Sequence, residues 1–198
     1  MKKTLFGLLI VFGASFTTLA HAEEAIFAMG CFWCGEYEFR NHETNEMLPG
    51  ISSLRVGYAG GSIKNPAYEN HPGSKEAVKI VFDPKVITYS KLLEIFWHNV
   101  DLFDAEGQFC DKGFSYTAVI FYTTPAQQQE AESTKTMIEQ QLKETVKTQT
   151  IAATTFHDAE EYHQNYANKN PTKYKFYRWN CGRDQRLEEI WKIINNHG

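Results

Sequence analysis

The strongest chemical signal in the chain is Cys31-Phe32-Trp33-Cys34, preceded by Gly30 and followed by Gly35-Glu36. An apolar run ends just before Gly30, the glycine permits a turn, and Cys31 falls where a helix would begin. The partial positive charge of a helix start favours a thiolate, the nucleophilic form of cysteine. The two rings that follow place apolar surface beside the sulfur. An isolated cysteine in such company is usually a structural one; the spacing and the turn favour a reactive one. The pair Cys31 and Cys34 also has C-x-x-C spacing, which serves as a redox disulfide, a resolving pair or half a zinc site. Zinc needs two more suitably spaced ligands. Cys110 and Cys181, the remaining cysteines, stand singly, so structural zinc is the minor reading.

Glu76 is the second signal. It shares a strand face with Val78, Ile80 and Phe82 because side chains alternate. A carboxyl facing apolar surroundings is desolvated, its pKa rises, and it becomes a proton donor near neutral pH. The competing reading, a strand-end Glu turned to solvent, is about as common on spacing alone. Weaker signals follow. Phe109-Cys110-Asp111-Lys112-Gly113 is either a site loop or an ordinary turn. Tyr58 lies among glycines that allow close backbone approach to a ligand. His163, near His157, Glu160 and Glu161, could be read as a metal ligand, with a surface-helix histidine as the better default.

The elements that must position these groups are legible in outline. Residues 25–29 read as a buried strand, and residues 32–40 suit a helix. Residues 54–59 form a second strand closed by Gly60-Gly61, before a loop that runs to Gly73. Residues 76–82 form a third, stopped by Asp83-Pro84. Ser90 is the expected cap of a helix whose stripe is Leu92, Leu93, Phe96, Trp97 and Val100. Residues 116–122 read as a fourth strand. Thr124-Pro125-Ala126-Gln127 is a capping box opening a helix to about residue 144. Residues 148–153 are a candidate fifth strand, Asp158 and Glu161 are expected to cap a short helix, and Leu187, Ile190, Trp191 and Ile194 line a final helix. This order predicts an α/β chain: an α+β two-layer sandwich with a ferredoxin-like split βαβ core. Residues 168–182, aromatic but weakly periodic, are expected to be a long coil-rich C-terminal extension.

The chain has 198 residues and a net charge of −4, enough for one sizeable core. Lys2 and Lys3, an apolar run over residues 5–16, and Ala20-His21-Ala22 have the layout of a secretory signal peptide over residues 1–22. Residues 23–198 then form a single catalytic domain. Without the two leader lysines, 18 basic residues face 24 acidic ones, a charge of −6. That balance argues against nucleic acid as a partner, and no later stretch reads as membrane-spanning. An exported chain could use four cysteines as structural disulfides, although their placement speaks for chemistry.

The motifs GCFWC (30–34), VGYAGG (56–61), NPAYE (65–69), EAVKIVFDP (76–84), LLEIFW (92–97), QFCDKG (108–113), AEEYHQ (159–164) and NCGRDQRL (180–187) stand in an order that resembles the A-type peptide methionine sulfoxide reductases. The resemblance covers residues 26–187. It implies reduction of the S epimer of methionine sulfoxide, free or in proteins, as repair of oxidative damage. Cys31 matches the nucleophile and Glu76 the general acid. Tyr58 and Tyr116 match tyrosines that bind the sulfoxide oxygen, and Asp111 a carboxylate that organises the site. Phe32 and Trp33 match the pocket for the methyl group. A sulfenic acid on Cys31 would be resolved by Cys181 first, with Cys34 and then Cys110 as alternatives. The resemblance further implies no cofactor and no metal, and thioredoxin or an exported thioredoxin-like protein as reductant; the leader implies the periplasm or secretion, and a monomer is the default expectation. Two features depart from the usual pattern: Ser74-Lys75 precede the acid, and Ser115-Tyr116-Thr117-Ala118 surround the second tyrosine. Two other functions compete with this one. A general C-x-x-C thiol–disulfide oxidoreductase would leave Glu76 idle, and a disulfide-stapled non-enzymatic secreted domain would have no turnover.

Overall fold

The apolar run over residues 25–29 forms the interior strand of the sheet, which is why both of its faces are apolar. Ala25, Phe27 and Met29 enter the main core, while Ile26 and Ala28 join a second cluster on the opposite face. The computed structural model describes residues 22–196. The leader expected over residues 1–22 lies outside them apart from Ala22, as does the side chain of Ile194.

The first half of the chain runs β1 (Glu23–Ala28), α1 (Phe32–Glu38), β2 (Ile51–Ala59), β3 (Lys75–Phe82) and α2 (Tyr89–His98). The short strands β4 (Gly107–Gln108) and β5 (Asp111–Lys112), a 3-10 turn (Phe114–Tyr116), β6 (Val119–Tyr122) and α3 (Pro125–Leu142) follow. The chain then forms β7 (Gln149–Ala152), β8 (His157–Asp158), α4 (Tyr166–Lys169), α5 (Pro171–Asn180) and α6 (Arg183–Asn196). The sheet order is β7-β6-β1-β3-β2-β8. Its four central strands are antiparallel neighbours in the order of a split βαβ unit. β7 adds a parallel edge beside β6, and β8 pairs with β2 at the other edge. The stripe on α2 packs against the sheet: Leu92, Leu93 and Phe96 are fully buried, and Phe27 lies 5.3 Å from Phe96.

Several expectations change. Thr88, not Ser90, caps α2; its hydroxyl accepts from the Lys91 amide at 3.2 Å. The fourth strand begins at Val119 rather than at residue 116, because Tyr116 belongs to the 3-10 turn. Asp158 and Glu161 cap no helix: Asp158 pairs with Gly57 in the sheet, and α4 starts after Asn165. Residues 168–182 are not coil. Pro171 opens α5, whose Tyr174 and Tyr177 pack onto Cys31 and Cys34. Tertiary burial of these rings stabilises a helix whose periodicity is weak.

Candidate active site

β1 delivers the chain to Gly30, which adopts φ +80. A Cβ there would stand 2.6 Å from the Gln108 Cβ, so only glycine allows the turn. Cys31 is the N-cap residue of α1 and makes no side-chain cap. The unpaired amide at the helix start is taken instead by Glu76, whose Oε2 accepts from Phe32 N at 3.0 Å. Glu76 reaches it because it lies on the same face of β3 as Val78, Ile80 and Phe82, which are in the main core. At 2 % exposure it does not turn out to solvent.

A small pocket of about 70 Å³ opens at this point, lined by Cys31, Phe32, Trp33, Tyr68, Glu76, Asp111, Tyr116 and Tyr177. Six of the sequence-predicted residues therefore meet: Cys31, Phe32, Trp33, Glu76, Asp111 and Tyr116. Tyr116 hydrogen-bonds Glu76, and Asp111 accepts from the Tyr177 hydroxyl. The turn that carries Tyr116 is gripped from beneath by Lys75. Its ammonium donates to Phe114 O at 2.7 Å and to Thr117 Oγ1 at 2.5 Å, and it sits over the Phe114 ring. Two departures from the usual motif, at positions 75 and 117, thus meet each other. Tyr58 packs behind the pocket against Phe32, with ring centroids 5.9 Å apart. Its hydroxyl donates to Glu160 Oε2 at 3.0 Å and it does not line the pocket; Tyr68 does. Pairing across the ladder puts Tyr58 on the same face as Glu76, but its hydroxyl is held by Glu160, while the loop after β2 brings Tyr68 to the pocket.

Burial pushes the Glu76 carboxyl up to about 8, against the opposing pull of the Phe32 amide. Asp111 is also raised by burial. Cys31 is held well above its ordinary value by burial, by its hydrogen bond with Cys34 and by the facing carboxyls of Glu76 and Asp111. A thiolate favoured by the helix start is therefore not the resting state. The field of a short helix is worth about 0.3–1 kcal/mol, too little to offset burial among acids. Cys34 is drawn down to about 7, chiefly by its hydrogen bond with Cys31 and then by Arg183 and Arg178. The resting site thus holds a neutral nucleophile beside a protonated acid.

Cys31 and Cys34 are free and buried. Cys110 and Cys181 are joined in a disulfide with Cα atoms 4.8 Å apart, across 71 residues of sequence. Cys110 is exposed at the tip between β4 and β5, next to Asp111.

A thiol, a protonated carboxyl and ringed apolar walls in one small pocket suit reduction of a polar, methyl-bearing sulfur group. The sequence pattern described as peptide methionine sulfoxide reductase matches residues 23–194. The chain belongs to the peptide methionine sulfoxide reductase family. This reductase is 43% identical over 190 residues to peptide methionine sulfoxide reductase MsrA 2 of Caulobacter vibrioides, covering 92% of this chain and 93% of that one. It is 42% identical over 175 residues to the MsrA of Bacillus subtilis, covering 85% and 96%. Among solved structures it resembles reduced Mxr1 of Saccharomyces cerevisiae, with TM-score 0.67 and 28% identity over 76% of this chain and 86% of that one. Methionine sulfoxide reductase A of Corynebacterium diphtheriae gives TM-score 0.64 and 27% identity over 80% and 81%. The reductase is accordingly an oxidoreductase. Sequence reasoning assigned no role to Tyr68 or Tyr177 of its pocket. Tyr68 lies in the NPAYE motif, a usable signal, whereas Tyr177 lies in the segment read as coil.

Proposed function

We propose that the protein reduces methionine S-sulfoxide, free or in proteins, with Cys31 as nucleophile and Glu76 as general acid. The observation that carries this reading is the buried, proton-holding Glu76 in the same pocket as the Cys31 thiol. Glu76 would give its proton to the sulfoxide oxygen, with Tyr116 and Tyr68 as hydrogen-bond donors to that oxygen. The cationic sulfur so produced would lower the pKa of the adjacent Cys31 thiol, whose proton would pass to the Glu76 carboxylate as Sγ attacks. Phe32 and Trp33 would hold the methyl group. The sulfoxide oxygen ends as a hydroxyl on Cys31 Sγ, and methionine leaves.

We infer that the sulfenic acid is resolved by Cys34. It is hydrogen-bonded to Cys31, free and drawn toward its thiolate, whereas Cys181 is already bonded to Cys110. Its attack on the sulfenic acid forms the Cys31–Cys34 disulfide and releases water. A second reading keeps Cys181 in the cycle. The Cys110 and Cys181 sulfurs and an Asp111 oxygen lie within 4.8 Å of one another, and Asp111 lines the pocket. A reduced Cys110/Cys181 pair could then pass electrons inward by thiol–disulfide exchange. A thioredoxin-type dithiol is the external reductant that the family resemblance supports.

The reaction takes place in the periplasm or outside the cell; Lys2, Lys3, the apolar run and Ala20-His21-Ala22 support export. Residues 23–198 act as one catalytic domain, a reading supported by a core that joins Ala25 to Ile190.

The test is methionine sulfoxide reduction by the mature chain and its single Cys→Ser variants, with dithiothreitol and with thioredoxin. Cys31→Ser is expected to be inactive. Cys34→Ser is expected to release one equivalent of methionine and leave a sulfenic acid that dimedone traps. An active Cys31→Ser variant refutes the mechanism, and single turnover in Cys181→Ser with full turnover in Cys34→Ser moves the resolving role to Cys181.

A further inference from the structure

The turn that links β8 to α4 is tied down on two sides. The Gln164 side chain accepts from Val56 N and donates to Val56 O and Ala159 O, each at 2.9 Å, so it is fixed to the backbone of β2. The next amide, Asn165 N, donates to Glu36 Oε2 at 2.7 Å, which fixes the turn to α1. Just before these anchors stand Glu160 and His163. Sequence alone favours a surface histidine, yet His163 is 1 % exposed.

The His163 ring touches three walls of the pocket from behind. Its centroid lies 4.9 Å from Phe32, 5.6 Å from Trp33 and 4.7 Å from Tyr68. Its Nδ1 is 3.0 Å from Trp33 Nε1. An indole N–H can only donate, so Nδ1 must be the bare, accepting nitrogen and the proton resides on Nε2. Nε2 has no hydrogen-bond partner among the described residues. The nearest charged group to it is Glu160, at 4.0 Å, and that carboxylate is already engaged by Tyr58 OH and Tyr68 N, both at 3.0 Å. Burial keeps the imidazole neutral, the state in which it can accept. A face of Trp33 is covered by Tyr166, stacked at 3.7 Å and 7°.

We propose that His163 is a positioning residue: by accepting the Trp33 indole hydrogen bond it sets the wall against which the substrate's methyl group packs. Glu160 serves the same pocket from the same turn by holding the Tyr68 backbone. The inference rests on the proposed sulfoxide chemistry only for its kinetic readout. Trp33 would contact the substrate equally in the ground and transition states, so losing its orientation raises KM with little effect on kcat.

Two substitutions separate positioning from space filling. His163→Phe keeps a ring of similar size but cannot accept. His163→Asn leaves a smaller side chain but puts an oxygen where Nδ1 stands. The ligand-free Trp33 indole N–H resonance, assigned with Trp33→Phe, reports the hydrogen bond without substrate. Expected are a shifted indole resonance and a KM raised about tenfold in His163→Phe, with both largely restored in His163→Asn. A ring that only fills space would give the reverse order, with Phe close to wild type and Asn worse, and that result overturns the proposal. An unmoved indole resonance in His163→Phe overturns it too, whatever the activity. A wild-type chain that fails to reduce the sulfoxide speaks against the proposed function, while the resonance still decides the His163 role.

Discussion

Replacing Glu76 by Gln is expected to make the protein more stable and inactive at once. In the unfolded chain this carboxyl ionises above its ordinary value of 4.5, whereas in the folded site burial holds the proton up to about pH 8. Between those values the folded state binds more protons than the unfolded one, so stability falls as pH rises through the window. Each pH step of one costs the folded state about 1.4 kcal/mol, about 3 kcal/mol by pH 7 and about 4 by pH 8. Gln keeps the shape and an oxygen that can accept from Phe32 N, but has no charge to desolvate. The stability gap between Glu76→Gln and wild type should therefore be near zero at pH 4.5 and about 3 kcal/mol at pH 7, or roughly 6–12 °C in Tm for a domain of this size. Urea denaturation at pH 5, 6, 7 and 8 measures it, with equal slopes in urea for both proteins. Activity should drop by about 100- to 10,000-fold, the usual worth of a positioned acid, and wild-type activity should decline above pH 8 as the acid loses its proton. A gap that stays constant from pH 5 to pH 8 would refute the idea that a buried, protonated Glu76 sets the chemistry.

Gly57→Ala should be strongly destabilising, because the new Cβ would stand 2.1 Å from His157 O and 2.7 Å from the Phe156 ring. The loss is expected to be about 1–3 kcal/mol or more by urea denaturation, with KM raised as β8 and the His163 turn shift. Lys75→Met tests the grip on the Tyr116 turn. Burial has drawn the Lys75 ammonium down to about 8, so from pH 8 to about 10.5 only the unfolded chain holds that proton and wild-type stability rises through this group. The variant should lack that rise in urea midpoints and should show a lower kcat at pH 7; an unchanged pH dependence would remove Lys75 from the account.

Local pattern carries information that survives any packing arrangement, and that is why the sequence by itself determined the interior strand β1, the glycine turn into Cys31 and the inward face of β3. Alternation along β3 places Glu76 on the face of Val78, Ile80 and Phe82, and the fold then decides that the carboxyl stays buried there. The Thr124 cap and the α2 stripe are similarly local. The order of strands and helices was enough to reach a split βαβ core.

Tertiary structure decided whatever depends on which distant groups share a space. Tyr58 and Tyr68 are both glycine- or proline-flanked tyrosines in the sequence, and only the fold shows that Glu160 occupies the Tyr58 hydroxyl while Tyr68 lines the pocket. The helix α5 and the burial of His163 arise from contacts with α1 and β2 far away in the chain, so periodicity could not reveal them. The surroundings that raise the Cys31 thiol were hidden for the same reason. The helix start is a local and weak field, whereas burial, Cys34 and the carboxyls of Glu76 and Asp111 act only once folding brings them together. The pairing of Cys110 with Cys181 likewise joins residues 71 apart, a separation across which spacing holds no information and only the folded geometry selects the partner.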